Sequence, residues 1–192
     1  IEYKRIIKPN GAIVLFAQTP FDKVLGSSNI EMLKYEWIWE KTQATGHLMA
    51  KKRPMKAHEN ILIFYKKQCT YNPQKTQGHK RKVSTAHHKR NTSTGDIYGK
   101  SDNFSDYDST ERYPRSVLEF ASDKQKLNLH STQKPLALCE YLIKTYSNEN
   151  DIILDNTAGS GTTGLASKNL NRNYIMIEKD EEIYKICCDR VK

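Results

Sequence analysis

The chain is short of several things, and each shortage narrows the reading. No apolar run approaches the ~20 residues of a membrane-spanning helix, and no signal-peptide pattern is visible in these residues. A soluble, cytoplasmic protein with no membrane contact is therefore expected. Four cysteines (Cys69, Cys139, Cys187, Cys188) stand at no metal-ligand spacing. The histidines His79, His87 and His88 lie in a basic stretch without partnering cysteines, so no zinc site is expected. Free, buried thiols in a reducing compartment are the plain expectation. Acidic residues are scarce in the middle: from Lys41 to Arg90 there are thirteen Lys or Arg and one acid, Glu59. With a net charge of +9 overall, this favours a polyanionic partner, although basic charge by itself licenses only non-specific attraction.

What is present fits one α/β domain of 192 residues carrying an inserted segment. Ile1 is not methionine, and Glu2 to Ile7 reads as the last turns of a helix closed by Lys8-Pro9-Asn10-Gly11. The chain is thus expected to start inside a domain. Ala12 to Ala17 is a continuous apolar run, as in a strand buried on both faces of a parallel sheet. Pro20 to Leu33 reads as a helix with a weak point at Gly26-Ser27-Ser28. Tyr35 to Trp39 and Asn60 to Tyr65 read as strands from their aromatic and β-branched content. Residues 68–127 differ: hydrophobic residues thin out, and Thr, Ser, Asn, Gly, Lys and His dominate. A stretch this long without a clear element is expected to be a functional insertion or disordered, with a short strand at Tyr113 to Phe120.

The sharpest local pattern is Asp151-Ile-Ile-Leu-Asp155-Asn-Thr-Ala-Gly159-Ser-Gly161-Thr-Thr-Gly164. An apolar run stops at Asp155, and a glycine-containing loop leads into a helix at Thr162. That is how a βα unit brings its backbone against a nucleotide, since glycine tolerates the sharp turn and leaves the main chain bare. The next strand, Asn173 to Ile177, ends at Glu178, roughly 20 residues beyond the glycines, where such folds place a carboxylate on ribose hydroxyls. The spacing Gly159, Gly161, Gly164 also matches a nicotinamide-dinucleotide fingerprint. The company of Asp155 and of Ser131-Thr132-Gln133-Lys134-Pro135 one helix upstream argues against that alternative.

These motifs in this order, His130-Ser-Thr-Gln-Lys-Pro135, then Asp155-Asn-Thr-Ala-Gly-Ser-Gly-Thr-Thr163, then strand-Glu178, resemble the C-terminal half of an S-adenosylmethionine-dependent DNA amino-methyltransferase of the β-type motif order. The resemblance extends through Trp39-Glu-Lys41, Arg53-Pro54 and Ala57-His-Glu-Asn-Ile-Leu62. It implies a Rossmann-like α/β core, a mostly parallel sheet with an antiparallel edge hairpin, over residues 1–67 and 128–192. A basic target-recognition region is implied at 68–127. It further implies S-adenosyl-L-methionine as cofactor, double-stranded DNA as partner, and methyl transfer to the exocyclic amine of a flipped-out base. Adenine N6 is preferred over cytosine N4, and a non-catalytic cofactor- and DNA-binding subunit is the rival from another class. Ser131, Thr132, Gln133, Lys134, Asp155, Thr157, Ala158, Gly159, Ser160, Gly161, Thr162, Thr163 and Glu178 are the implied cofactor residues. Lys134 is open between a contact to the methionine carboxylate and a solvated helix-start residue, and Asp155 between the methionine amino group and a cap on its own loop. Glu178 could instead pair with Lys179 or Arg172. Lys51, Lys52, Arg53, Lys80, Arg81 and Lys82 are the candidate phosphate contacts.

One expected part is missing. Family members polarise the target amine with an Asp/Asn/Ser-Pro-Pro-aromatic tetrad, and positioning with fixed dipoles carries such a reaction. Here Pro9, Pro20, Pro54, Pro73, Pro114 and Pro135 include no adjacent pair. No catalytic residue can be named, and either a segment upstream of Ile1, a homodimer or a complementing chain is expected to supply the motif. The chain also departs from the family's Asp-Pro-Phe/Cys-Ala-Gly by reading Asp155-Asn-Thr-Ala-Gly159. No Pro-Cys nucleophile occurs, which disfavours cytosine-C5 chemistry.

Overall fold

A computed structural model describes residues 2–92, 104–122 and 133–192. The chain divides into two compact units, Ile1–Asn72 with Arg115–Lys192, and Pro73–Pro114. The larger unit opens with α1 (Glu2–Ile6), β1 (Ile13–Ala17), α2 (Phe21–Ser27), β2 (Leu33–Thr45) and β3 (Lys56–Phe64). The smaller unit holds β4 (Lys82–Ser84), α3 (Ala86–Thr92) and β5 (Tyr107–Ser109). The chain then returns through β6 (Val117–Phe120), α4 (Leu136–Tyr146), β7 (Ile152–Asp155), α5 (Thr162–Asn169), β8 (Asn173–Met176) and α6 (Glu181–Val191).

The main sheet has the order β1-β3-β2-β6. β3 pairs antiparallel with both β1 and β2, while β6 lies parallel to β2. A second, parallel pair is formed by β7 and β8. Among the described residues the antiparallel hairpin of β2 and β3 lies between β1 and β6, and parallel pairing joins β2 to β6 and β7 to β8. β1, expected to be buried on both faces of a parallel sheet, is an antiparallel edge strand and mostly half-buried. The strand that is covered on both faces is β3, and its alternation explains why Ile61-Leu-Ile-Phe64 is apolar without a break. Ile61 and Ile63 pack with Trp37, Trp39, Leu138, Leu142 and Tyr146. Leu62 and Phe64 pack on the other side with Ala17 and Met32. Each such side chain removed from water contributes about 1.5–3 kcal/mol before entropy is charged against it.

α4 joins the two sheets. Leu138 and Leu142 face the main sheet, whereas Cys139 and Ile143 pack on Ala166 beside Ile153 and Leu170. Pro135 introduces the helix with its preset φ of -60, and the Ser147 hydroxyl closes it by donating to the Ile143 carbonyl at 2.6 Å. Inside the main cluster the Trp37 indole N–H donates to the Tyr146 hydroxyl at 2.5 Å. Burial pushes the phenols of Tyr146 and Tyr35 up, the latter to about 12, and both stay neutral.

α2 stops at Ser27, inside the expected weak point, instead of continuing to Leu33. The smaller unit contains strands and a helix where the sequence offered no clear element. Among its described residues no large hydrophobic side chain is buried. It is held by polar contacts: Arg81 makes a two-pronged pair with Asp108, Lys75 and Gln77 converge on Glu111, and a Thr76–Arg112 bridge ties its ends. All four cysteines are free thiols, three of them buried, and no described helix is long and apolar enough to cross a membrane.

Candidate functional site

The residues that the sequence singles out converge around the turn from β7 to α5. β7 delivers Asp155 to the start of the loop, where its carboxylate is used twice. Oδ1 accepts from the Thr157 N–H at 3.0 Å and Oδ2 from the Thr163 hydroxyl at 2.7 Å. These two bonds cap the loop through the Asp155 side chain. The Ala158 N–H is tied to the carbonyl of Ile177, and the Ile177 N–H returns to the carbonyl of Asp155. The loop is thereby stitched across to the end of β8.

That stitching brings Glu178 against the glycines. Its Oε2 accepts the Gly159 N–H at 2.7 Å, and its Oε1 accepts the N–H groups of Lys179 at 2.8 Å and Asp180 at 3.1 Å. The Asp180 N–H, then that of Gly159, holds the Glu178 carboxyl below its ordinary range, so it is a full anion at neutral pH. Neither Lys179 nor Arg172 forms an ion pair with it; the Arg172 guanidinium donates instead to backbone carbonyls of Leu170 and Ser147.

Gly159 and Gly161 both sit at positive φ, 52 and 78. At Gly161 the empty side-chain position faces protein: a Cβ there would lie 2.8 Å from Cys187 Sγ of α6. At Gly164 it would meet Val191 and Met176 at 3.2 and 3.3 Å, the close helix–strand approach expected of a third glycine. α6 also reaches the loop through Arg190, which the sequence did not flag. Its Nη1 donates to the Ser160 carbonyl at 3.2 Å, the Ser160 hydroxyl at 3.1 Å and the Thr162 hydroxyl at 2.9 Å. Ser160 and Thr162 are buried, with their polar atoms turned to this arginine. Thr157 is exposed and Ala158 buried.

Ser131 and Thr132, with His130, lie outside the described residues. Gln133 is buried, and both polar atoms of its amide lack a hydrogen-bond partner among the described residues. A buried, unsatisfied amide is costly, and it marks a position where a polar partner would be accommodated. Lys134 is paired within the chain: its ammonium lies 2.8 Å from Glu59 Oε2 and above the rings of Phe16 and Trp39. Lys41 takes the other oxygen of Glu59 at 2.6 Å. Burial alone would push the Glu59 carboxyl up, but Lys134 and then Lys41 outweigh it and hold it low. Glu59 is a second residue that the sequence reading did not place at a site.

The candidate phosphate contacts separate. Lys51, Lys52 and Arg53 are exposed on the β2–β3 connection of the larger unit. Lys80, Arg81 and Lys82 belong to the smaller unit, where Arg81 is already committed to Asp108.

Comparison with known proteins converges on one family. A family model described as DNA methylase matches residues 1–189. The Type II methyltransferase M.HpaI of Haemophilus parainfluenzae is 29% identical over 197 residues, which cover 99% of this chain and 56% of the relative. The Type II methyltransferase M.HindIII of Haemophilus influenzae is 42% identical over 76 residues, 40% of this chain and 25% of the relative. The chain thus spans between a quarter and just over half of these relatives. Among solved structures, the M1.HpyAVI–SAM complex superimposes with a TM-score of 0.69 at 29% identity, covering 99% of this chain and 78% of that one. The cytosine-N4-specific PvuII DNA methyltransferase matches with a TM-score of 0.64 over 96% of this chain and 65% of that one, and at 17% identity it speaks for the fold alone.

Proposed function

The chain belongs to the DNA methylase family, and from that premise we propose that it holds S-adenosyl-L-methionine for methyl transfer to an exocyclic amine of a base in double-stranded DNA. The observation that carries this reading is Glu178, an anionic carboxylate at the end of β8, set against the Gly159 N–H of the loop after β7. Oε2 accepts only the Gly159 N–H and so retains acceptor capacity for a ribose hydroxyl, whereas Oε1 already accepts two backbone N–H groups. Bound S-adenosylmethionine supplies an activated methyl group. The chain's own part is orientation: the Asp155 cap and the Arg190 clamp fix the loop, and the unsatisfied Gln133 amide offers a donor and an acceptor.

Adenine N6 is the preferred target, and cytosine N4 the alternative, on the resemblance of the segment from Trp37 to Tyr65. The amine-polarising tetrad belongs to a complementing segment, an upstream one, a second copy or another chain. Supporting this, among the described residues β7 and β8 form a two-stranded pair, which is less than a free-standing sheet needs. Ile152, Leu154 and Ile175 on it, and Ile177 just past β8, remain exposed. The test is to incubate the protein with duplex DNA and methyl-labelled S-adenosylmethionine, then digest the DNA to nucleosides. N6-methyladenine is the expected product, and N4-methylcytosine would move the assignment to the alternative. Cofactor binding with no transfer, even after adding the complementing segment, would favour a binding subunit.

A further inference from the structure

Most of the loop after β7 is tied down by its immediate surroundings. Thr157 bonds to Asp155, Ala158 to Ile177, Gly159 to Glu178, and the Ser160 hydroxyl to Arg190. The Gly161 N–H closes back on the Ala158 carbonyl at 3.0 Å. Asn156 takes part in none of these bonds. Among the described residues its one hydrogen bond leads elsewhere: Oδ1 accepts from the Tyr3 hydroxyl at 2.7 Å, across 153 residues of chain. Tyr3 stands on α1, which is itself held in place. The Lys66 ammonium donates to the Lys4 carbonyl at 2.7 Å, and Lys8 just past the helix lies 3.8 Å from Asp151. The segment from Tyr3 to Lys8 therefore meets β7 at both ends, with Lys8 at its entry and Tyr3 where it gives way to the loop.

The position of Asn156 gives that bond its weight, because the residue after the strand sets the direction in which the loop departs. The family pattern quoted above has proline there, which fixes φ covalently. Asparagine leaves φ free and is at home in several turn conformations, the left-handed one included. Here the φ of Asn156 is negative. It follows Asp155, the last residue of a strand, and an extended predecessor is what a proline requires. The backbone thus has a shape that a proline would accept and that asparagine alone would not enforce. We propose that Tyr3 is a positioning residue for the cofactor loop, its hydroxyl supplying from α1 the restraint at Asn156 that this chain lacks in proline. The proposal rests on the cofactor reading above and deepens it. Tyr3 acts through Asn156, by raising the fraction of molecules whose loop already has the binding shape, and apparent affinity scales with that fraction.

The test titrates S-adenosylmethionine into the whole chain and its variants by calorimetry, with urea unfolding of each alongside. The bond is exposed, so every variant should fold. Tyr3→Phe removes only the donor and Asn156→Ala only the acceptor. Each should weaken binding about threefold, near the lower end of what one hydrogen bond is worth. The double variant should be no weaker than either single one, because both remove the same bond. Asn156→Pro should bind within about twofold of wild type, and adding Tyr3→Phe to it should change nothing, since proline replaces the restraint. If wild type binds and Tyr3→Phe binds equally well, the positioning role is overturned and the cofactor reading stands, even where the urea midpoint falls. Losses that multiply in the double variant, to about ninefold, would show two independent effects and overturn it as well. So would an Asn156→Pro variant that binds no better than Asn156→Ala. If wild type does not bind at all, the cofactor reading falls and takes the positioning role with it.

Discussion

Two turns of this molecule pivot on a glycine at strongly positive φ, Gly161 at 78 before α5 and Gly46 at 92 at the tip of the β2–β3 arm. Their surroundings are opposite. A Cβ on Gly161 would meet Cys187 Sγ at 2.8 Å, whereas one on Gly46 would meet nothing within 4 Å. The first glycine serves a loop locked by Asp155, Glu178 and Arg190; the second serves a hairpin tip whose residues are exposed. The same backbone signal in a sequence can thus mark a preorganised interior turn or a free-standing tip. What distinguishes them is which distant residues arrive beside it.

The largest effect expected from that contrast is at Gly161. Gly161→Ala combines left-handed strain of about 1–2 kcal/mol with overpacking of about 1–3 kcal/mol against Cys187, and urea unfolding should show a loss of about 3 kcal/mol. Adding Cys187→Ala should recover part of it, which a purely conformational cost would not allow. Arg190→Met comes next: it keeps bulk but strips donors from the buried Ser160 and Thr162, for about 2 kcal/mol in the same assay.

The two glycines also show how far the sequence could be read. The β7 loop and Glu178 were legible because the pattern is local and each residue type has one physical job. Arg190 was not legible: it lies 28 residues from Thr162 and 30 from Ser160, and nothing in a helical stretch announces which face meets a loop. The Lys41–Glu59–Lys134 cluster was hidden likewise, since Glu59 and Lys134 are 75 residues apart. The hairpin strands could be named, but not their interior position, because pairing order depends on partners that no single strand specifies. The smaller unit was legible as an insertion but its elements were not, because its strands are polar and held by Arg81–Asp108 and the contacts of Glu111.

Smaller effects sharpen the contrast further. The depressed pKa of Glu178 means that its stabilisation of the loop is complete above the unfolded value, about 4.3, and is lost as pH falls through the lower folded value. Exchange of the Gly159 amide should therefore accelerate below pH about 4 beyond the intrinsic trend, and Glu178→Gln should remove that extra acceleration. Amides at the arm's tip, with no carboxylate nearby, should show no such acid step. Gly46→Ala should cost only the strain, about 1 kcal/mol, with no partner substitution able to relieve it. A loss there as large as at Gly161 would break the comparison.

The most direct measurement of the central claim is calorimetric titration of the protein with S-adenosylmethionine, with Glu178→Ala alongside. Saturable binding in the micromolar range that the variant weakens by more than about tenfold, or 1.4 kcal/mol, is the result predicted for a carboxylate on the ribose hydroxyls. Equal binding by wild type and a folded variant would contradict the assignment of the loop between β7 and α5 as the cofactor site.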